Sequence, residues 1–206
     1  MTSYSTMSVE DLLDAFASNE PVPGGGSASA LAGAIGVSLL MMVAGLPKTR
    51  TGAPEEATDL AEASSRLRPL REELTSLIDQ DSEAYQAVLA AYRLPTGTAE
   101  DESARQAAIE AAMREATEVP LETMRACQQA LHGAAIVARN GNPNAATDTA
   151  VGVELLLAGM RGAGMNIDVN LPGLPDAAYV ARVKEEREEL EREGTADAQR
   201  VLSRAL

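Results

Sequence analysis

From Ser27 to Leu46 the chain reads SASALAGAIGVSLLMMVAGL, twenty residues without a charge. A run of this length can cross a bilayer, or it can form a helix buried inside a globular core. Its first half is Ala, Ser and Gly, which are only weakly apolar, and no second segment like it follows. We therefore read it as the central helix of a soluble bundle. Small residues recur along it at helical spacing, with Ala28, Ala32 and Gly36 on one row and Gly25, Ser29 and Gly33 on the next. Such rows let neighbouring helices approach closely.

The rest of the composition agrees with a helical protein. Phe16 and four tyrosines are the only aromatic residues, too few for an ordinary sandwich or barrel. Alanine, leucine, glutamate and arginine dominate, and all four favour helix. A chain of 206 residues suits one domain with its own core, and we expect a single all-α domain over 1–206. Cys127 and His132 are the sole cysteine and histidine, which excludes a disulfide framework and any Cys/His-built metal site. A net charge of −14 argues against binding nucleic acid or an anionic membrane. With acidic residues early in the chain and no leader pattern, the expectation is a soluble cytoplasmic protein.

Punctuation divides the chain into helices. Ser8, with Asp11 three residues on, caps a short helix to about Ser18 that presents Val9, Leu12, Leu13 and Phe16 on one side. Pro21 and Pro23 hold the next segment extended, ahead of Gly24-Gly25-Gly26-Ser27. After a polar loop over 48–54, helix returns from Glu55 to Arg93, with a break or kink expected at Pro69. Residues 99–140 form one or two helices, with Pro120 a candidate first residue of the second. A helix is expected over 145–165, a loop over 166–176, and a charged helical tail interrupted near Gly194.

Two aspartates stand out by position. The apolar stripe Leu67, Leu70, Leu74, Leu77, Ile78, Tyr85, Val88 includes Asp81, whereas Asp79 and Glu83 fall off it and read as surface charge. A carboxylate on an apolar face needs a partner, a helix end to cap, or a catalytic use. Asp148 lies on the apolar side of its helix, away from Glu154 and Arg161, and either caps the first turn or serves a site. The glycine run offers bare N–H groups at a helix start, or simply a turn with unusual dihedrals. Asn140, Asn142 and Asn144 precede the Asp148 helix, and Asn166 and Asn170 follow it. These amides suit loop caps, and they equally suit reading a heterocycle.

Taken together, PVPGGGS, LIDQDSEAYQAVLAAYRLP, ATEVPLE, GNPNAATD and GMNIDVN resemble the cyclodeaminase/cyclohydrolase family of folate enzymes, in the same order over about residues 9 to 170. The resemblance implies an all-α homodimer acting on a tetrahydrofolate one-carbon derivative, and we expect no bound cofactor and no metal. It places the family's aspartates on Asp81 and Asp148. Its substrate contacts fall on Gly24, Gly25, Gly26, Ser27, Asn140, Asn142, Asn144, Asn166 and Asn170. Tyr85, one turn beyond Asp81, would face the same cavity.

One stretch departs from the family. Where many members carry a glycine, several lysines and a tyrosine, this chain has Pro47-Lys48-Thr49-Arg50-Thr51-Gly52, leaving Lys48 and Arg50 to attract the glutamate carboxylates. The expected activity is hydrolysis of 5,10-methenyltetrahydrofolate, with one aspartate moving the proton and the other steadying the cation, in an order left open. The alternatives are cyclodeaminase activity, a catalytically silent folate-binding dimer, or a helical interaction protein.

Overall fold

The computed structural model describes residues 3–205, and among them there are six α-helices and no strand. These are α1 (Val9–Ala17), α2 (Gly25–Ala44), α3 (Pro54–Tyr92), α4 (Ala99–Asn140), α5 (Ala146–Asn170) and α6 (Ala177–Ala205). Helix α2 packs between α3 and α5, α4 closes the bundle against both, and α6 lies across α4 and α5. Ser27 meets Asp81 and Gly33 meets Leu74, so α2 runs antiparallel to α3. Gly36 meets Gly152 and Ser29 meets Gly162, so α2 also runs antiparallel to α5.

Glycine is required at the α2–α5 crossing because the two backbones touch. A Cβ on Gly36 would stand 2.6 Å from the Gly152 carbonyl oxygen, and one on Gly159 would stand 2.6 Å from that of Ser29. The core around this crossing is aliphatic: Val37, Leu40, Leu74, Leu77, Leu131, Leu156 and Met160 are buried. Cys127 is buried among them, and burial alone pushes its thiol up to about 12, which leaves it an inert apolar side chain.

Several expected breaks are absent. Helix α3 runs through Pro69 and α4 through Pro120. Pro69 and Ser65 are both exposed, so water can satisfy the Ser65 carbonyl that loses its donor. The Pro120 case differs, and its free carbonyl is taken up by a side chain described below. Helix α5 continues to Asn170 instead of ending at Met165, because Ile167 is a fully buried core residue one turn before the proline at 172. Helix α6 passes Gly194, whose missing side chain leaves room for Met160 and Leu131.

Two surfaces differ from expectation. The Ser8 cap forms, its hydroxyl accepting from the Asp11 N–H, but of the α1 stripe only Leu12 is buried, while Val9 and Leu13 are exposed. Helix α2 is uncharged throughout yet buried on one side only. Ile35 and Met42 are exposed on its other side, and Val151 and Met165 are exposed on α5.

Candidate active site

The N-terminus of α2 points at α3, and Asp81 closes it. The Ser27 N–H donates to Asp81 Oδ2 at 2.8 Å, and the Ser27 hydroxyl lies 3.0 Å from the same oxygen. That hydroxyl is also 2.9 Å from the Ile78 carbonyl and 3.1 Å from Ser82 Oγ. Ser27 has one proton to give, so it serves Asp81 when the carboxylate is ionised and Ile78 when it is not. The helix-capping role open to Asp81 is therefore filled, across the bundle. One oxygen remains: Oδ1 accepts no hydrogen bond from the described residues and is not sealed from solvent. Burial pushes the Asp81 carboxyl above its ordinary value, against the opposing pull of the Ser27 bonds.

Gly26 is the counterpart of this carboxylate. A side chain there would overlap the Asp81 carboxyl group, whereas one on Gly25 would make only ordinary contact with the Asn166 amide. None of Gly24, Gly25 and Gly26 has positive φ, so no unusual turn requires the run, and of the three only Gly26 is glycine for space. Gly26→Ala is expected to lower kcat about 100-fold by displacing Asp81, and to lower the melting temperature by a few degrees because the buried Ser27 N–H loses its acceptor, as steady-state kinetics and thermal unfolding will show.

Around Asp81 lies a cavity of about 280 Å³, lined by Gly24, Gly25, Gly26, Tyr85, Val88, Met113, Asn166 and Asn170. Asn166 donates its amide N–H to the Gly162 carbonyl at 2.8 Å, and Asn170 donates to the Ala116 carbonyl at 2.7 Å. Ser27 does not line the cavity; it is fully buried behind Asp81 and positions it. Ser82, hidden in the same network, gave no signal in the sequence because a serine on an apolar stripe is unremarkable. A larger groove of about 590 Å³ runs between α3, α4 and α6, but its buried carboxylate, Asp197, is already paired with Arg200 and faces the exposed His132.

Asp79 is not plain surface charge. It receives the Tyr4 N–H at 2.6 Å, the Ser5 N–H at 3.2 Å, and the hydroxyls of Ser5 at 2.6 Å and Ser3 at 2.9 Å. Burial alone would raise its carboxyl, but these donors together hold it below its ordinary value. The Tyr4 hydroxyl then donates to the Val22 carbonyl at 3.3 Å, so the N-terminal segment is tied to the wall of the cavity.

The remaining sequence-derived residues form a second group at the far end of α2. Arg50 donates through its backbone to the Asn140 carbonyl and through its guanidinium to the Ala138 carbonyl, both at 2.9 Å. The Asn140 amide donates to Asp59 at 2.8 Å, and Asn142 Oδ1 receives the Asn144 N–H at 3.0 Å as a loop cap. Lys48 and Asn144 are exposed. Asp148, half-buried in the first turn of α5, has no side-chain hydrogen bond or ion pair within the described residues. Gly152 sits beside Gly36 and Gly162 beside Ser29, which sets Asp148 roughly 20 Å along α2 from Asp81 at 1.5 Å per residue. One chain thus brings together Gly24, Gly25, Gly26, Asp81, Tyr85, Asn166 and Asn170, and holds Lys48, Arg50, Asn140, Asn142, Asn144 and Asp148 apart from them.

The profile of the formiminotransferase-cyclodeaminase family matches residues 8–189. The chain belongs to that family. It is 40% identical over 193 residues to a methenyltetrahydrofolate cyclohydrolase of Methylorubrum extorquens, covering 94% of this chain and 93% of that protein. It is 32% identical to a formimidoyltransferase-cyclodeaminase of Sus scrofa, covering 91% of this chain but only 35% of that longer protein. The crystal structure of a formiminotetrahydrofolate cyclodeaminase from Thermotoga maritima superposes with a TM-score of 0.85 at 26% identity, covering 96% of this chain and 95% of the other. The all-α fold expected from the sequence is therefore the family's.

Proposed function

We propose that this chain is a folate one-carbon enzyme that hydrolyses 5,10-methenyltetrahydrofolate to 10-formyltetrahydrofolate, with the folate as substrate and no resident cofactor. The observation that carries the reading is Asp81: a carboxyl raised by burial, with Oδ2 tethered and Oδ1 free beside a small amide-walled cavity. The Methylorubrum relative, matched over nearly its whole length, supports this choice of reaction.

In this mechanism Asp81 is the proton carrier. Water bonds to the cationic methenyl carbon as Oδ1 takes one of its protons. The adduct then collapses: its carbon–N5 bond breaks, N5 receives the proton held by Asp81, and the hydroxyl proton leaves to solvent as the formyl carbonyl forms. The positive charge of the substrate is discharged in the first step. A second carboxylate near the cation, Asp148, would steady it before attack.

The active species is a homodimer, in a soluble cytoplasmic protein, built on the exposed α2 and α5 face. Three observations support the dimer. The uncharged helix α2 leaves Ile35 and Met42 uncovered. The cavity, at about 280 Å³, falls just below the ~300–1,000 Å³ of ordinary ligand sites. The two groups of site residues lie at opposite ends of the same helix. A two-fold axis near Ile35, midway along α2, sets the Asp81 end of one protomer against the Asp148 and Arg50 end of its partner.

Loss of methenyltetrahydrofolate absorbance on adding purified protein tests the reaction, with ammonia release from formiminotetrahydrofolate followed in parallel. Methenyl loss without ammonia is the expected result. Ammonia release would favour the cyclodeaminase reading, which the close structural match to the Thermotoga protein supports. Folate binding with no turnover would mark a silent binding dimer.

A further inference from the structure

Pro120 sits in the middle of α4, fully inside a helix that does not break. A proline at this place has no N–H for the carbonyl four residues earlier, and its ring pushes that carbonyl outward. The carbonyl concerned is that of Ala116, which lines the candidate cavity. It is not left orphaned: the Asn170 amide, arriving from the last turn of α5, donates to it at 2.7 Å. An ordinary residue at 120 would supply its own N–H to Ala116 and compete with Asn170 for the same acceptor.

The consequence lies at the other end of the amide. One N–H of Asn170 is committed to Ala116, which fixes the plane of the amide; its Oδ1 accepts nothing from the described residues and is not sealed from solvent. Asn166 is anchored in the same sense, its nitrogen on Gly162, with Oδ1 left over. Both amides of the cavity are thereby fixed in orientation, each with an unpaired Oδ1 able to accept from an N–H-bearing ligand edge. We propose that Pro120 is a positioning residue for this site, freeing the Ala116 carbonyl so that Asn170 is locked with its oxygen toward the donor edge of the substrate heterocycle. The identity of that heterocycle as a reduced pteridine rests on the folate reading above.

The test is Pro120→Ala, with Asn170→Ala and the double variant completing a cycle, read by the Kd of 5-formyltetrahydrofolate and by thermal unfolding. Pro120→Ala should weaken binding about 2- to 10-fold, the range of a single hydrogen bond, while Tm stays level or rises as the helix regains an N–H. In the Asn170→Ala background the Pro120 substitution should have no further effect on Kd, since the residue acts through Asn170. Asn170→Asp keeps the acceptor but loses the anchoring N–H, and it should weaken binding to a similar extent, which keeps the test open if Pro120→Ala does not fold. Side-chain amide resonances of Asn170 in ¹⁵N-labelled protein should move in Pro120→Ala without any ligand.

Unchanged binding in Pro120→Ala or in Asn170→Asp, additive losses in the double variant, or unmoved Asn170 resonances would each overturn the proposal. If the wild-type protein does not bind 5-formyltetrahydrofolate, the folate reading fails instead, and the resonances still decide the role of Pro120.

Discussion

Asp81→Asn is expected to lower kcat by roughly 10²–10⁴-fold, the usual weight of a positioned general acid or base, without unfolding the protein. The amide oxygen can still accept the Ser27 N–H, so the start of α2 keeps its cap. It cannot take a proton from water. The pH dependence separates this from a structural effect. Burial sets the Asp81 carboxyl above its ordinary value, so the wild-type rate should fall on the acid side with an apparent pKa higher than that of a free carboxylate. That limb should vanish in the variant.

Stability should respond in the opposite sense. A group whose folded pKa is raised contributes most to stability while protonated, and loses that contribution as pH rises through the folded value. Near neutral pH the wild-type protein therefore carries a poorly solvated carboxylate that Asn removes. The variant should melt no lower than wild type at pH 7, and the difference should narrow in acid. A variant that loses activity together with tens of degrees of Tm would instead make Asp81 a structural cap alone.

The second large effect is a gain. Asp81→Asn and Asp148→Asn should each be nearly inactive alone. Unfolded together and refolded as a mixture, they should recover up to about a quarter of wild-type activity. Random pairing makes half of the dimers mixed, and each mixed dimer holds one site with both aspartates intact and one with neither. Recovery of this kind requires the two carboxylates of one site to come from different protomers, which fits their roughly 20 Å separation along α2 in a single chain. A mixture no more active than its parts, or a protein that sediments as a monomer at assay concentration, would rule out the shared site.

Much of this protein was legible in the residues. The uncharged run over 27–46, the scarcity of aromatics and the stripe from Leu67 to Val88 determine a helical bundle with α2 against its core. The same stripe exposes Asp81, because a carboxylate breaking an apolar period is visible without any structure. Prolines misled where they were read as local breaks. A proline removes one N–H, and whether a helix survives depends on what meets the stranded carbonyl: solvent at Ser65, the Asn170 amide at Ala116. Asp79 misled in the same way, since its four donors come from residues 3–5, more than seventy positions away.

What the sequence determined by itself, then, was composition-driven and periodic: helices, their apolar faces, and a polar residue out of phase. What only the tertiary structure decided was adjacency. It set Gly26 against Asp81, tied Asn170 to Ala116, and parted Asp148 from Asp81 by roughly 20 Å along α2. A helical period is a property of residues three or four apart and is written along the chain. A site is made by antiparallel helices crossing at one level, and that level is chosen by which small residues allow two backbones to touch, Gly36 on Gly152 and Gly159 on Ser29.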